Sequence, residues 1–226
     1  MTQCADSASF GEWNASTVEY WLSRMPQGTR ATYRHGNIPR ALCSAARQIL
    51  ERGDIEGVAL REAAFMVGIS PTAAYRHFKS KDDWLAVVAA QGFRELAAVL
   101  RTAARSENPA IAIGLAYIDF ALTNRGLFHL MFGPILLLKE QCQALNDAVA
   151  DAREAVGLAV EAGGESQARE DAAFAMWSLY QGVSAVFIGG SLPEADAKSL
   201  AQKILIEAGR RRRYPVPRTA LIEVLG

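Results

Sequence analysis

The sequence predicts an all-α fold: a three-helix unit built around a helix-turn-helix, followed by a larger helical body. Three observations carry that expectation. Apolar residues recur every three or four positions along most of the chain, and no strand-like alternation appears. Of the 226 residues 50% are hydrophobic, ample core for one helical domain or two modest ones. Leu60 to Lys81, LREAAFMVGISPTAAYRHFKSK, carries the punctuation of two short helices around a tight turn.

Residues 1–35 read as an N-terminal extension. Met1 to Asn14 is a tail. Ser16 to Met25 forms either a short amphipathic helix, with Val18, Trp21, Leu22 and Met25 on one face, or a leader without fixed structure. Arg30 to His35 (RATYRH) is a basic, aromatic arm or a solvated linker. Ile38 to Arg52 is the first helix, with Ala41, Leu42, Ala45, Ile49 and the edge of Leu50 in period and Gly53 as its stop. Cys43 lies beneath or beside that stripe.

Within the helix-turn-helix, Gly68 is expected just past the first helix, in the left-handed conformation that glycine tolerates. Ile69 plugs the turn. Ser70 caps the next helix, and Pro71 suits its first turn, where a missing N–H costs nothing. Ala63, Ala64, Val67, Ile69, Ala74 and Phe78 form an inward face, and the small Ala64 and Ala74 let the helices approach. Thr72, Ala73, Tyr75, Arg76 and His77 point outward, with ring packing beneath the motif as a second role for Tyr75. Ser80 caps a long helix from Lys81 towards Arg105, with Trp84, Leu85, Val88, Gln91, Leu96 and Leu100 as its spine. The boundary falls near residue 85. Residues 36–85 form the helix-turn-helix unit and 86–213 the body.

In the body, Asn108 and Pro109 start a helix whose face is Ile111, Leu115, Ile118 and Leu122, with Tyr117 and Phe120 alongside. Gly126 and Gly133-Pro134 bracket a short helix of large side chains. Leu137 to Glu161 is predicted as one helix ending at Gly163-Gly164. Arg169 to Ile188 is apolar almost all round, so it must be covered on every side. A second subunit is the expected cover; the alternative is a monomer that completes its own core. Gly189-Gly190 stops this helix, and Pro193 starts the last one, with Ala197, Leu200, Ala201, Ile204, Leu205 and Ala208 in period. Arg210 to Arg213 complements that helix's C-terminus, with phosphate binding as the alternative, and 214–226 is a tail.

The run GISPTAAYRHFKSK followed by DDWL, 68–85, resembles the DNA-binding domain of the TetR (tetracycline-repressor-like) family of transcription regulators. Tyr75 to Lys81, Y-x-H-F-x-x-K, is its most specific part. Residues 116–134, AYIDFALTNRGLFHLMFGP, resemble one C-terminal class of that family, named for a Trp-His-Gly pattern in a later helix. Here Trp177 and Gly182 are present, but Gln181 stands where the histidine would be.

The resemblance implies a ligand-binding and dimerisation body and a ligand-responsive dimeric regulator, by family default a repressor. It implies that Tyr75, His77 and Lys81 hold phosphate oxygens, which fixes register without reading sequence. Base readout falls to Arg61, Thr72, Ala73 and Arg76 in a major groove, with Ser70 on the same surface; Arg76 has a surface ion pair as its alternative. A homodimer would read a pseudo-palindromic operator in double-stranded DNA. Its interface would use Trp177, Ser178, Gly182, Ala185, Leu200 and Ile204, two helices from each subunit. A small apolar or aromatic effector would meet Tyr117, Phe120, Phe128, His129, Met131, Phe132, Trp177 and Tyr180, with His129 as a polar anchor or, alternatively, a satisfied core or surface histidine; plain core packing is the alternative for the others.

Charge agrees with that reading. The formal net charge is zero, yet residues 30–81 hold nine bases and four acids, +5, leaving −5 elsewhere. A basic segment on an acidic body is the footprint of a nucleic-acid-binding module. No apolar run has transmembrane length, and no signal peptide is expected. Cys4, Cys43 and Cys142 are odd in number and lack metal-ligand spacing, and His35, His77 and His129 are scattered. A reducing cytoplasm fits this cysteine usage. No metal, cofactor or catalytic residue is expected. Two further readings stay open: a small helical enzyme using Asp119, His129 and Cys142, and a redox or protein-interaction module using Cys43 or Cys142.

Overall fold

The computed structural model describes residues 38–53, 57–160, 166–190 and 194–211, and every element among them is helical. The N-terminal extension with its basic arm, Arg212, Arg213 and the tail lie outside the described residues. In chain order the helices are α1 (Ile38–Glu51), α2 (Leu60–Val67), α3 (Pro71–Tyr75), α4 (Lys81–Ala103), α5 (Pro109–Thr123), α6 (Arg125–Met131), α7 (Gln143–Gly157), α8 (Ser166–Ile188) and α9 (Glu194–Arg211). A 3-10 turn, Pro134–Leu138, joins α6 to α7.

Local chemistry fixes the first half. Gly68 has φ 79° and ψ 30°, the left-handed conformation. Its N–H donates to the Phe65 carbonyl at 3.0 Å, and the Ile69 N–H donates to that of Ala64 at 3.0 Å. This pair of bonds is a Schellman close, which satisfies carbonyls the helix end leaves open. The Ser70 hydroxyl then accepts from the Ala73 N–H at 3.2 Å, with Pro71 next to it. Ala63, Ala64 and Ala74 are fully buried where α2 and α3 meet, and Val67 and Ile69 pack half-buried on the same core.

At α4 the Ser80 hydroxyl accepts from the Asp83 N–H at 3.0 Å, and the Asp83 carboxylate accepts from the Lys79 N–H at 3.1 Å. The two ends hold each other, as in a capping box. Trp84, Val88, Phe93, Leu96 and Leu100 are fully buried. α4 packs most extensively on α7 and also against α5, α6 and α1, so one helix serves both the helix-turn-helix and the body.

The body departs from the expected pattern in three places. Ile113, Tyr117, Ile118 and Ala121 are the deeply buried residues of α5, whereas Ile111, Leu115 and Leu122 are half-buried. α5 lies between α4 on one side and α8 and α9 on the other, and a helix apolar all round does not announce a face. The helix expected from Leu137 starts only at Gln143 and ends at Gly157. Pro134 opens the 3-10 turn instead, and Leu137 is left 81% exposed, so that apolar run finds no core. Gly126 does not precede its helix but sits inside α6. A Cβ there would stand 2.2 Å from the Leu50 carbonyl oxygen, which makes glycine the residue that lets α6 touch α1. Arg47 of α1 adds an ion pair to Glu95 of α4 and a 3.4 Å contact to the Asn124 amide oxygen.

Candidate nucleic-acid interface and aromatic body

α3 is a five-residue helix whose outer surface is left open by the packing of Ala74 and Phe78 behind it. Thr72, Tyr75, Arg76 and His77 are exposed and Ala73 is half-buried. Arg61 is exposed at the start of α2, and Lys81 is exposed at the start of α4. Ser70 is exposed too, with its oxygen engaged in the α3 cap. Tyr75 is 51% exposed, so its ring does not pack beneath the motif. Arg76 has no ion-pair partner among the described residues. Exposed Phe65, one turn beyond Arg61, was not expected on this side; its only sequence signal is that it falls outside the inward stripe.

The body gathers aromatic rings. Tyr117 of α5 lies 5.8 Å from Phe128, 6.0 Å from Trp177 and 5.8 Å from Tyr180, centroid to centroid. Phe132 lies 4.6 Å from Phe128, 5.9 Å from Trp177 and 5.2 Å from Phe93 of α4. The Tyr117 hydroxyl donates to the Gln181 side-chain oxygen at 2.8 Å, and that of Tyr180 donates to the Ala110 carbonyl at 2.7 Å. Burial holds the Tyr117 phenol well above the ordinary tyrosine range, so it stays protonated and donating.

Five of the eight expected effector residues therefore meet: Tyr117, Phe128, Phe132, Trp177 and Tyr180. Three do not join their ring network. Met131 is fully buried, with its sulfur in the notch that Gly92 leaves on α4. Phe120 is buried but makes no ring contact among the described residues. His129 is exposed on the outer side of α6, with Leu127, Phe128, Leu130 and Met131 facing inward, so it is not the polar anchor of the cluster. The polar group at the rings is Gln181, the position where the resemblance would put a histidine. Phe93 had no sequence signal that separated it from ordinary helix residues; Gln181 was marked only by the histidine position of the resemblance.

α8 turns another side outward. Phe174 is 62% and Val186 45% exposed, and Ser178, Gly182 and Ala185 between them are exposed as well. These positions share one helical face. Leu200 and Ile204 of α9 are half-buried. Trp177, expected at the dimer interface and at the effector, packs into the ring cluster.

Burial pushes the Cys43 thiol up to about 11, against a smaller opposing effect from its hydrogen bond with Gln91. A thiol that stays protonated is a poor nucleophile, which weighs against redox use of Cys43. Among the described residues no group of three His, Cys, Asp or Glu side chains is placed to hold a metal ion, and no single helix is long and apolar enough to cross a membrane.

Residues 110–207 match the family of tetracyclin repressor-like C-terminal domains. Among solved structures, the chain is similar to a protein of unknown function from Rhodococcus sp. RHA1, with a TM-score of 0.64 and 23% identity over 79% of this chain and 98% of that one. It is similar to a bacterial regulatory protein of the tetR family from Rhodococcus RHA1, with a TM-score of 0.56 and 21% identity over 77% and 96%. It is also similar to the multidrug binding protein EbrR, solved with imidazole, with a TM-score of 0.52 and 18% identity over 80% and 97%. These likenesses establish a shared fold. No curated protein matches the chain.

Proposed function

We propose that the chain, whose residues 110–207 match the family of tetracyclin repressor-like C-terminal domains, is a sequence-specific DNA-binding transcriptional regulator. In this reading it represses by occupying a pseudo-palindromic operator as a homodimer in the cytoplasm, and a small apolar or aromatic effector releases it. The observation that carries the reading is α3: a short helix capped at Ser70, buried behind through Ala74 and open in front through Thr72, Tyr75, Arg76 and His77. Rigid backing and an exposed polar front are what a groove-reading helix needs.

Tyr75, His77 and Lys81 take the phosphate role, and Arg61, Thr72, Ala73 and Arg76 take the base-reading role. A two-fold dimer doubles the sequence read, with half-sites about one helical turn apart or somewhat more. The exposed α8 face supplies the surface for that dimer. An effector acts by binding the DNA-incompetent arrangement more tightly than the competent one.

The test is an anisotropy titration of labelled duplex DNA over a range of salt concentrations. Replacing Tyr75→Phe and Lys81→Ala together should weaken binding to every sequence, and the salt slope should fall by about one for the lost lysine. Unchanged affinity and slope in the folded double variant would overturn the assignment.

A further inference from the structure

The C-terminal half of α7 and the N-terminal half of α8 border an open cleft of about 720 Å³. The helices are closest at Gly157, where a Cβ would lie 3.9 Å from that of Ala173. Leu158 of α7 and Phe174 of α8 line the cleft and are 48% and 62% exposed, and Trp177 lines it beside them. Phe174 also belongs to the outer face of α8, with Ser178, Gly182, Ala185 and Val186. Cleft and face are therefore one continuous surface, largely apolar and shared by two helices, of the kind that another molecule covers.

The charges say what kind of molecule that is. Arg153, Glu154, Arg169 and Glu170 line the cleft, so two bases stand with two acids and neither sign is in excess. Arg101 lies 3.7 Å from Glu154 but is engaged by the Asp151 carboxylate, which leaves Glu154 open to a further partner. Arg153, Arg169 and Glu170 have no ion-pair partner among the described residues. A partner of one sign gains nothing from such a rim. A second copy of the chain does, because two-fold symmetry lays the same patch on itself, residue i against j and j against i. A patch of one sign would repel its own copy, whereas equal bases and acids let the guanidiniums of each copy meet the carboxylates of the other.

We infer that a second copy of this chain docks over the α7–α8 cleft, so that the dimer surface runs from the outer face of α8 onto α7 at Leu158, with the arginines and glutamates of the rim pairing between copies. The inference rests on the homodimer reading above and extends it to α7, which the sequence did not place at an interface. Leu158 and Phe174 supply the apolar centre and the four charges the polar border, the usual anatomy of a protein interface. Trp177 then faces two ways. It lines the cleft, and it packs on Tyr117 at 6.0 Å and on Phe132 at 5.9 Å in the ring cluster. The docked copy covers the outer side of that cluster, and a movement of Trp177 reaches the second copy by direct contact.

The test is sedimentation equilibrium of the full chain, with helix content checked by circular dichroism. Leu158→Glu, on α7 and clear of the α8 face, should raise the dimer dissociation constant by about a hundredfold, because it buries an unpaired carboxylate. Arg153→Glu with Arg169→Glu makes the rim wholly acidic, and Glu154→Arg with Glu170→Arg makes it wholly basic. Each double variant should self-associate about tenfold more weakly than the native chain, and an equal mixture of the two should recover native affinity as a mixed dimer. A native dissociation constant for Leu158→Glu, or a mixture that associates no more tightly than its components, overturns the proposal. Val186→Glu, on the α8 face outside the cleft, separates the two readings. If it weakens the dimer while the cleft variants leave it intact, the cleft fails and the α8 dimer stands. If the native chain does not dimerise, the homodimer reading fails and the cleft with it.

Discussion

Helices α3 and α8 both turn a face to solvent, and the two faces are chemically opposite. Thr72, Tyr75, Arg76 and His77 on and after α3 are polar or tipped with polar atoms, and water solvates them at little cost. Phe174, Ser178, Gly182, Ala185 and Val186 on α8 offer carbon and small side chains, over which water is held at a cost proportional to area. The first face is suited to a polyanion that supplies hydrogen-bond acceptors. The second is suited to an apolar surface that approaches closely, as a second copy of α8 would.

Breaking the α8 face should have the largest effect. Phe174→Glu with Val186→Glu places carboxylates where the proposed dimer would bury them unpaired. The expected outcome is a dimer dissociation constant raised by about a thousandfold, about 4 kcal/mol, read by sedimentation equilibrium. An unchanged dimer would move the interface elsewhere. The α3 face is sharpened by Arg61→Ala, expected to cost about 1–3 kcal/mol at its preferred base and to relax preference there, with non-specific affinity altered much less. Base preferences measured on single-substituted operators would decide it.

A third change tests the junction between the two regions. Gly126→Ala sets a methyl against the Leu50 carbonyl, where only backbone movement relieves the contact. Thermal unfolding should show a loss of about 1–3 kcal/mol, the usual range for overpacking. The smallest effect belongs to the surface of the body. Arg101 holds the Asp151 carboxyl below the usual carboxylate value, with one of its two hydrogen bonds at 3.0 Å. A depressed folded value means that stability is complete above the ordinary 3.8 and fades as pH falls through the folded value. Both side chains are more than a third exposed and screened by water, so the contribution is about 0–1 kcal/mol. Asp151→Asn should remove that part of the acid-side loss in a pH series of unfolding curves.

How much of this was legible in the sequence follows the range of the interactions. Gly68, Ser70, Pro71 and Ser80 act on backbone groups within a few residues, so the turn and the caps of α3 and α4 could be read directly. Fold class followed from periodicity for the same reason. α5 could not be oriented, because apolar residues surround it and only its neighbours decide which side goes deepest. The sequence left His129 open between a polar anchor and a core or surface histidine, because a short helix offers too few residues to fix its inner face; it lies on the surface. Gln181 meeting Tyr117 across 64 positions is a tertiary fact without a local signature. The sequence asks for cover on every side of α8, and the side left open in the single chain, Ser178 to Val186, is where that expectation puts a second subunit.

The central claim is that the α3 face reads DNA in a two-fold pair. Selection of bound sites from random duplex DNA, on the purified folded chain at stated salt, tests it most directly. The expected result is recovery of a two-fold-symmetric motif whose half-sites are about one helical turn apart or somewhat more. Absence of any enriched sequence, from a folded chain free of ligand, would contradict it.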